Sequence, residues 1–114
     1  MQYDLEQRTT EFGKSVIYFS KILKPDVVTR PLISQLIRSA TSIGANYREA
    51  NESCSKKDFR NKIAITKKEA NETCHWLELM LVATPESQSK IEALLKESHE
   101  LLLIFCSIYR RLKK

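Results

Sequence analysis

Few residues in this chain are equipped for covalent or metal chemistry. Glu72-Thr73-Cys74-His75 sets a carboxylate and an imidazole three residues apart. That is the Glu-x-x-His spacing used by carboxylate-bridged dinuclear metal sites inside helical bundles, which need two such pairs plus a Glu from each of two further helices. The second pair is missing, because the other histidine, His99, has Lys96 where the glutamate would stand. Cys74 and His75 are neighbours, so a helix directs them about 100° apart and a thiolate–imidazolium couple is disfavoured. With two histidines, no Ser-His-Asp arrangement stands out. Two isolated glycines, Gly13 and Gly44, cannot write a Gly-rich nucleotide loop. The three cysteines, Cys54, Cys74 and Cys106, are odd in number and form no Cys-x-x-Cys, which indicates neither a disulfide framework nor a zinc ribbon. They are expected as buried or half-buried thiols in a reducing compartment. The expectation is a protein without metal or cofactor that is not an enzyme.

The charged residues are more informative. Lys and Arg number 19 against 14 Asp and Glu, a net charge of +5 on 114 residues. Between Lys56 and Lys68 lie Lys56, Lys57, Arg60, Lys62, Lys67 and Lys68, opposed only by Asp58. Arg110, Arg111, Lys113 and Lys114 close the chain, and Arg48 lies shortly before the first cluster. Lys and Arg in such number are the groups that hold phosphates. A solvated charged surface is the plainer reading. Basic residues at the end of a helix also complement its dipole without any ligand.

Prolines divide the elements that must carry these groups. Leu5, Phe12, Val16, Phe19 and Leu23 recur at helical spacing, and Lys24-Pro25 ends that segment. Leu32, Leu36, Ala40, Ile43, Tyr47 and Ala50 form the stripe of a second segment that opens near Thr29-Arg30-Pro31. Ser55 with Asp58 three residues later marks the start of a third, striped by Phe59, Ile63, Thr66, Ala70, Thr73, Leu77 and Leu81. Thr84-Pro85-Glu86 reads as N-cap and first turn of a fourth, whose stripe includes Ile91, Leu94, Leu95, Ser98, Leu101, Leu102, Phe105, Tyr109 and Leu112. The helices are expected at about residues 4–23, 31–53, 56–83 and 85–112 of one domain, 1–114. Four amphipathic helices with short connections imply an all-α, antiparallel up-down-up-down four-helix bundle. Sparse Gly and Pro argue against an all-β fold, which needs frequent turns. No signal peptide and no apolar run of about 20 residues is present, so a soluble, cytoplasmic protein without a membrane partner is expected. The topology brings the start of helix three, the end of helix four and Arg48 to one pole.

Two sets of residues exceed what a bundle core consumes. On segment three, Ile65, Trp76 and Leu79, interleaved with Glu69 and Glu72, lie well to one side of the core stripe, roughly 100–160° from Phe59. Leu103, Ile104 and Ile108 also lie off the core stripe on segment four. Scattered surface apolars are ordinary, yet a tryptophan among them suits a subunit interface. On segment two, Gln35, Arg38, Ser39, Ser42, Ala45, Asn46 and Glu49 form a row of small or hydrogen-bonding residues. That composition points to a packed polar seam, where a solvated face would carry more Lys and Glu.

The run Gln35 to Ala50, Gln-Leu-Ile-Arg-Ser-Ala-Thr-Ser-Ile-Gly-Ala-Asn-Tyr-Arg-Glu-Ala, resembles the signature of the bacterial four helix bundle protein family. That family includes proteins encoded in intervening sequences of 23S ribosomal RNA genes. Ser55 to Phe59, Lys68 to Thr73 and Trp76 to Leu79 are similar to its third-helix pattern. The resemblance spans nearly the whole chain. It departs at Ala50, where many members have Gly, and at Tyr47-Arg48, which replaces a commoner Ile-Ala. The resemblance implies an all-helical homopentamer arranged as a barrel. It further implies kinship with the accessory protein of diversity-generating retroelements, which binds nucleic acid and a reverse transcriptase. At matching positions, Arg38, Ser39, Asn46 and Glu49 would be signature residues of helix two, and Glu69, Glu72 and Trp76 those of helix three.

The expected function is therefore binding of RNA or DNA by a homo-oligomer, through Arg48, Lys56, Lys57, Arg60, Lys67, Lys68, Arg110, Arg111, Lys113 and Lys114. Arg38, Ser39, Ser42, Asn46, Glu49, Ile65, Glu69, Glu72, Trp76 and Leu79 are the expected interface or structural positions. The alternative is a scaffold that docks a protein partner, such as a reverse transcriptase, through an apolar outer face.

Overall fold

A computed structural model describes residues 4–112. Four α-helices form among them: α1 (Leu5–Lys21), α2 (Thr29–Asn51), α3 (Lys56–Ala83) and α4 (Gln88–Arg111), with a short 3-10 turn at Pro85–Ser87. No strand occurs among the described residues. At 1.5 Å per residue, the 28 residues of α3 span about 42 Å. That matches the long dimension of the molecule, 45 Å.

Each helix starts and stops for an identifiable reason. Asp4 caps α1 by accepting from the Gln7 N–H (3.2 Å). Ser55 caps α3 by accepting from the Asp58 N–H (3.0 Å). At the N-cap of α2, Val28 offers no side-chain acceptor, and Asp26 supplies one from two residues upstream. Its Oδ1 accepts from the backbone N–H groups of Val28 (2.9 Å) and Thr29 (2.8 Å). Those donors depress the Asp26 carboxyl below its ordinary range, with the Thr29 N–H contributing most. The helix therefore begins at Thr29, and Pro31 falls within its first turn, where no N–H is required.

The expected cap of the fourth helix is not formed. The Thr84 side chain is buried and donates back to the Met80 carbonyl (3.0 Å). That carbonyl also accepts the Thr84 N–H (2.8 Å), and with the hydroxyl turned back onto it Pro85–Ser87 make a 3-10 turn and α4 begins only at Gln88.

The helices form a square in which α2 touches α1 and α3, and α4 touches α3 and α1. Neighbours run antiparallel. Thr9 lies against Gly44 and Glu6 against Asn51. Ser39 pairs with Thr73, and Glu49 with Lys62. Ser98 meets Ala70 and Cys74, and Arg8 meets Glu97 and Glu100. A Cβ at Gly44 would stand 3.3 Å from Thr9 Oγ1, so the glycine permits the close α1–α2 approach.

The core is one cluster whose fully buried large side chains include Val16, Leu36, Ile43, Ile63, Leu77, Met80, Ile91, Leu101 and Phe105. Tyr47 of α2 and Phe105 of α4 meet across the diagonal edge to face, with ring centroids 5.2 Å apart. Cys74 and Met80 join this core beside the expected stripe of α3. Among the described residues no helix is long and apolar enough to cross a membrane.

Candidate nucleic-acid interface

The antiparallel register assembles one end of the molecule from the start of α1, the end of α2, the start of α3 and the end of α4. Lys56 and Lys57 are exposed in the first turn of α3, and Arg110 and Arg111 are exposed in the last turn of α4. Tyr109 ties these two helix ends together. The Arg60 guanidinium lies 4.7 Å from its ring centroid and Lys67 Nζ 4.6 Å. Each contact is worth roughly 0.5–1 kcal/mol at a partly exposed site. Arg48 is exposed near the end of α2, its Nη2 3.5 Å from the Thr10 hydroxyl of α1. Lys113 and Lys114 lie outside the described residues.

The basic residues make a strip rather than a cap. Lys67 and Lys68 sit eleven and twelve residues beyond Lys56, so they lie roughly 16–18 Å up the shaft of α3. Acidic side chains border the same end. Lys62 pairs with Glu49 (2.7 Å), and Asn51 Nδ2 donates to Glu6 (2.8 Å). Among the described residues Lys56, Lys57, Lys68, Arg110 and Arg111 make no ion pair. A cleft of about 320 Å³ opens within this end. A second of about 670 Å³, with Glu49, Glu52 and Asp58 beside Arg48 and Lys62, has mixed charge.

The second set of candidates forms a seam within one chain. Arg38 of α2 donates through Nη1 to Glu69 of α3 (3.2 Å), through Nη2 to Glu72, and through Nε to Gln35 (3.0 Å). Burial works against the Arg38 charge, but Glu72 and then Glu69 outweigh it and raise its pKa. Behind the guanidinium, Ser39 is fully buried. Its Oγ meets Thr73 Oγ1 at 2.9 Å, and Thr73 also bonds the Glu69 carbonyl (2.8 Å). Ser42 and Asn46 are half-buried and bond their own helix, at the Arg38 and Ser42 carbonyls. Ile65 and Leu79 are 38% and 37% exposed. Trp76 is half-buried against the core with the edge of His75 on its ring. Its indole N–H is buried and has no hydrogen-bond partner among the described residues.

The Glu-x-x-His pair gathers no further ligand. His75 is exposed, and among the described residues no three His, Cys, Asp or Glu side chains stand together. Cys74 is buried against Ser98 Oγ (3.2 Å), and burial pushes its thiol pKa up. Cys54 corrects the expectation that all three thiols are covered: it is exposed, because it lies in the α2–α3 connection outside any helix.

Two features carried too little local signal to be found in advance. Arg8 of α1 clamps α4 through Glu97 (2.6 Å) and Glu100 (2.8 Å), partners about ninety residues away. Tyr109 stands at a core-stripe spacing, yet it also receives two cations of α3.

Four antiparallel helices packed around one apolar core define the class of protein, an all-α four-helix bundle. The chain belongs to the 23S rRNA-intervening sequence protein family, whose model matches residues 1–106. It is also similar to a crystal structure of a protein of unknown function from the S23 ribosomal protein family of Bacteroides thetaiotaomicron VPI-5482. The two are 35% identical with a TM-score of 0.82, covering 93% of this chain and 98% of that one. Among curated proteins nothing matches.

Proposed function

We propose that this chain is a non-enzymatic, self-associating bundle that binds RNA or DNA through the basic strip. The observation that carries the reading is a division among its cations. Arg8, Arg38 and Lys62 are committed to carboxylates of neighbouring helices. Lys56, Lys57, Lys68, Arg110 and Arg111, by contrast, are exposed and make no ion pair among the described residues. Bound phosphates release counterions in proportion to the cations they meet, so affinity falls steeply with salt. With no recognition helix offered to a groove, binding is to the backbone and carries little sequence readout.

Self-association strengthens the argument. Five copies at +5 each would repeat the strip around a ring carrying about +25. Trp76, Ile65 and Leu79 supply the apolar part of the subunit contact, and a homopentamer is the assembly we infer. The test is fluorescence anisotropy with labelled RNA and DNA across a salt series. Binding that weakens linearly in log–log form is expected. Joint change of Lys57, Arg60, Lys67 and Lys68 to Glu abolishes it. Undiminished binding by that variant would show that the strip is the wrong surface. Light scattering checks the assembly, and a monomer mass at micromolar concentration would refute it.

One observation favours a second reading, a scaffold for a protein partner. At the opposite end of the bundle Tyr18, Ile22, Val27, Val28 and Val82 are all more than half exposed. Beside them a groove of about 450 Å³ separates α1 from α4. Salt-insensitive capture of one protein, with no nucleic-acid binding at low salt, would favour the scaffold.

A further inference from the structure

The basic end carries a shallow depression that is open to solvent. Its cleft of about 320 Å³ lies where the end of α2, the α2–α3 connection, the start of α3 and the last turn of α4 meet. That volume falls at the lower end of ligand clefts, which run about 300–1,000 Å³. Half-buried Phe59 and Leu112 form the apolar side, and Asn51 and Lys56 lie on the polar side. The Asn51 amide is anchored on Glu6 (2.8 Å). Arg110 and Arg111 immediately precede Leu112 in the chain. One hollow is thus lined by an aromatic ring, a held amide and one cation, Lys56, and the helix turn that supplies Leu112 also carries Arg110 and Arg111.

Two aromatic residues lie near the basic strip, and their surroundings differ. Tyr109 already has Arg60 and Lys67 over its ring. A ring so occupied has little face left for a ligand. Among the described residues no cation lies over Phe59, which lines the cleft and is held in place by packing against the core. A planar ligand that carries negative charge fits such a hollow. Stacking on an aromatic side chain accepts any base, because every base has a π-face. Duplexes keep their bases stacked inside and would meet only the cations.

Resting on the nucleic-acid reading above, we propose that this cleft takes one unpaired base of a single strand, stacked on Phe59, with the flanking phosphates on Lys56, Arg110 and Arg111. The selection is for unpaired over paired nucleotides. Base identity contributes little, since Asn51, Ser53 and Ser55 on the cleft wall are already hydrogen-bonded within the protein, which leaves Lys56 to meet a base edge.

The probe is a short single-stranded oligonucleotide with one 2-aminopurine, compared with the same strand in a duplex. Binding should change the fluorescence of the single strand and leave that of the duplex unaltered. Phe59→Leu should weaken single-strand binding by about fivefold or more, as loss of one stacked base predicts. It should leave duplex binding and its salt slope intact. Cys54 is exposed and lies on the cleft wall, so Cys54→Met crowds the hollow with a side chain that has no ring to stack on and does not touch the core. It should act in the same way, and it carries the test alone if Phe59→Leu does not fold. Unchanged fluorescence, with both variants binding the single strand like the parent, overturns the cleft proposal but leaves the charged strip standing. No binding of either nucleic acid at low salt overturns both.

Discussion

Removing the Arg38 side chain tests the seam that joins α2 to α3. The Arg38 side chain is 45% exposed, whereas the Glu69 side chain is only 11% exposed and has no other hydrogen-bond donor among the described residues. Arg38→Met keeps the aliphatic stem and deletes the donors, leaving a buried carboxylate unpaired. Hydrogen bonds to charged groups contribute roughly 1.5–3 kcal/mol. A fully buried pair broken on one side loses 3–5 kcal/mol. The exposed outer half of Arg38 lets water replace part of its role toward Glu72, which places the loss near 2 kcal/mol. For a domain of this size that is about 8 °C in Tm at fixed protein concentration.

Urea unfolding of Arg38→Met, Glu69→Gln and the double variant supplies the measurement. Glu69→Gln alone leaves a neutral amide that still accepts from Arg38, so it should lose less than Arg38→Met. The double variant should lose less than the sum, because the buried charge left by the first change is absent. Additive losses, or an Arg38→Met within 0.5 kcal/mol of the parent, would refute the account of a seam held by charge.

Two further outcomes follow from single groups. Trp76→Phe removes a buried N–H without a partner while keeping an aromatic ring, so chemical unfolding should show a change within about 1 kcal/mol. A loss above 2 kcal/mol would mean that the indole N–H finds a partner or that the ring anchors the subunit contact proposed above. Asp26 has its carboxyl pKa depressed in the folded protein, so it stabilises above its unfolded value of 3.8, and that contribution is lost as pH falls through the lower folded value. Helix signal should therefore show an acid-induced step that Asp26→Asn lacks. A step of unchanged size in the variant would assign it to another carboxylate.

The helices could be read from sequence wherever periodic burial decided their position. Phe12, Val16 and Phe19, or Leu36, Ala40 and Ile43, stand at one spacing and all are buried. Ser55 capped as its type and its distance from Asp58 suggested. The misjudged places were those where one polar side chain had two available partners. Thr84 could cap forward or bond back, and tertiary burial chose the latter. Asp26 reaches over two residues to the start of α2, although Asp followed by Thr29 carried that signal.

For the candidate site, the cluster of Lys and Arg was legible from order along the chain. The separation of committed from uncommitted cations was not, because it depends on partners such as Glu97 for Arg8 and Glu69 for Arg38 in distant helices. The exposed Cys54 shows the same limit, since a connection's path over the surface follows from helix packing.

Tyr109 places ligand capture and helix order in one equilibrium. An anion that recruits Arg60 or Lys67 must draw it off a ring it already covers, which costs about 0.5–1 kcal/mol per cation. The last turn of α4 would then lose its bond to α3 as the ligand gains one. By linkage, loosening that turn should raise the affinity of the strip, and occupying the strip should loosen the turn. On the function proposed above, the end of α4 would compete with a ligand for the cations of the strip.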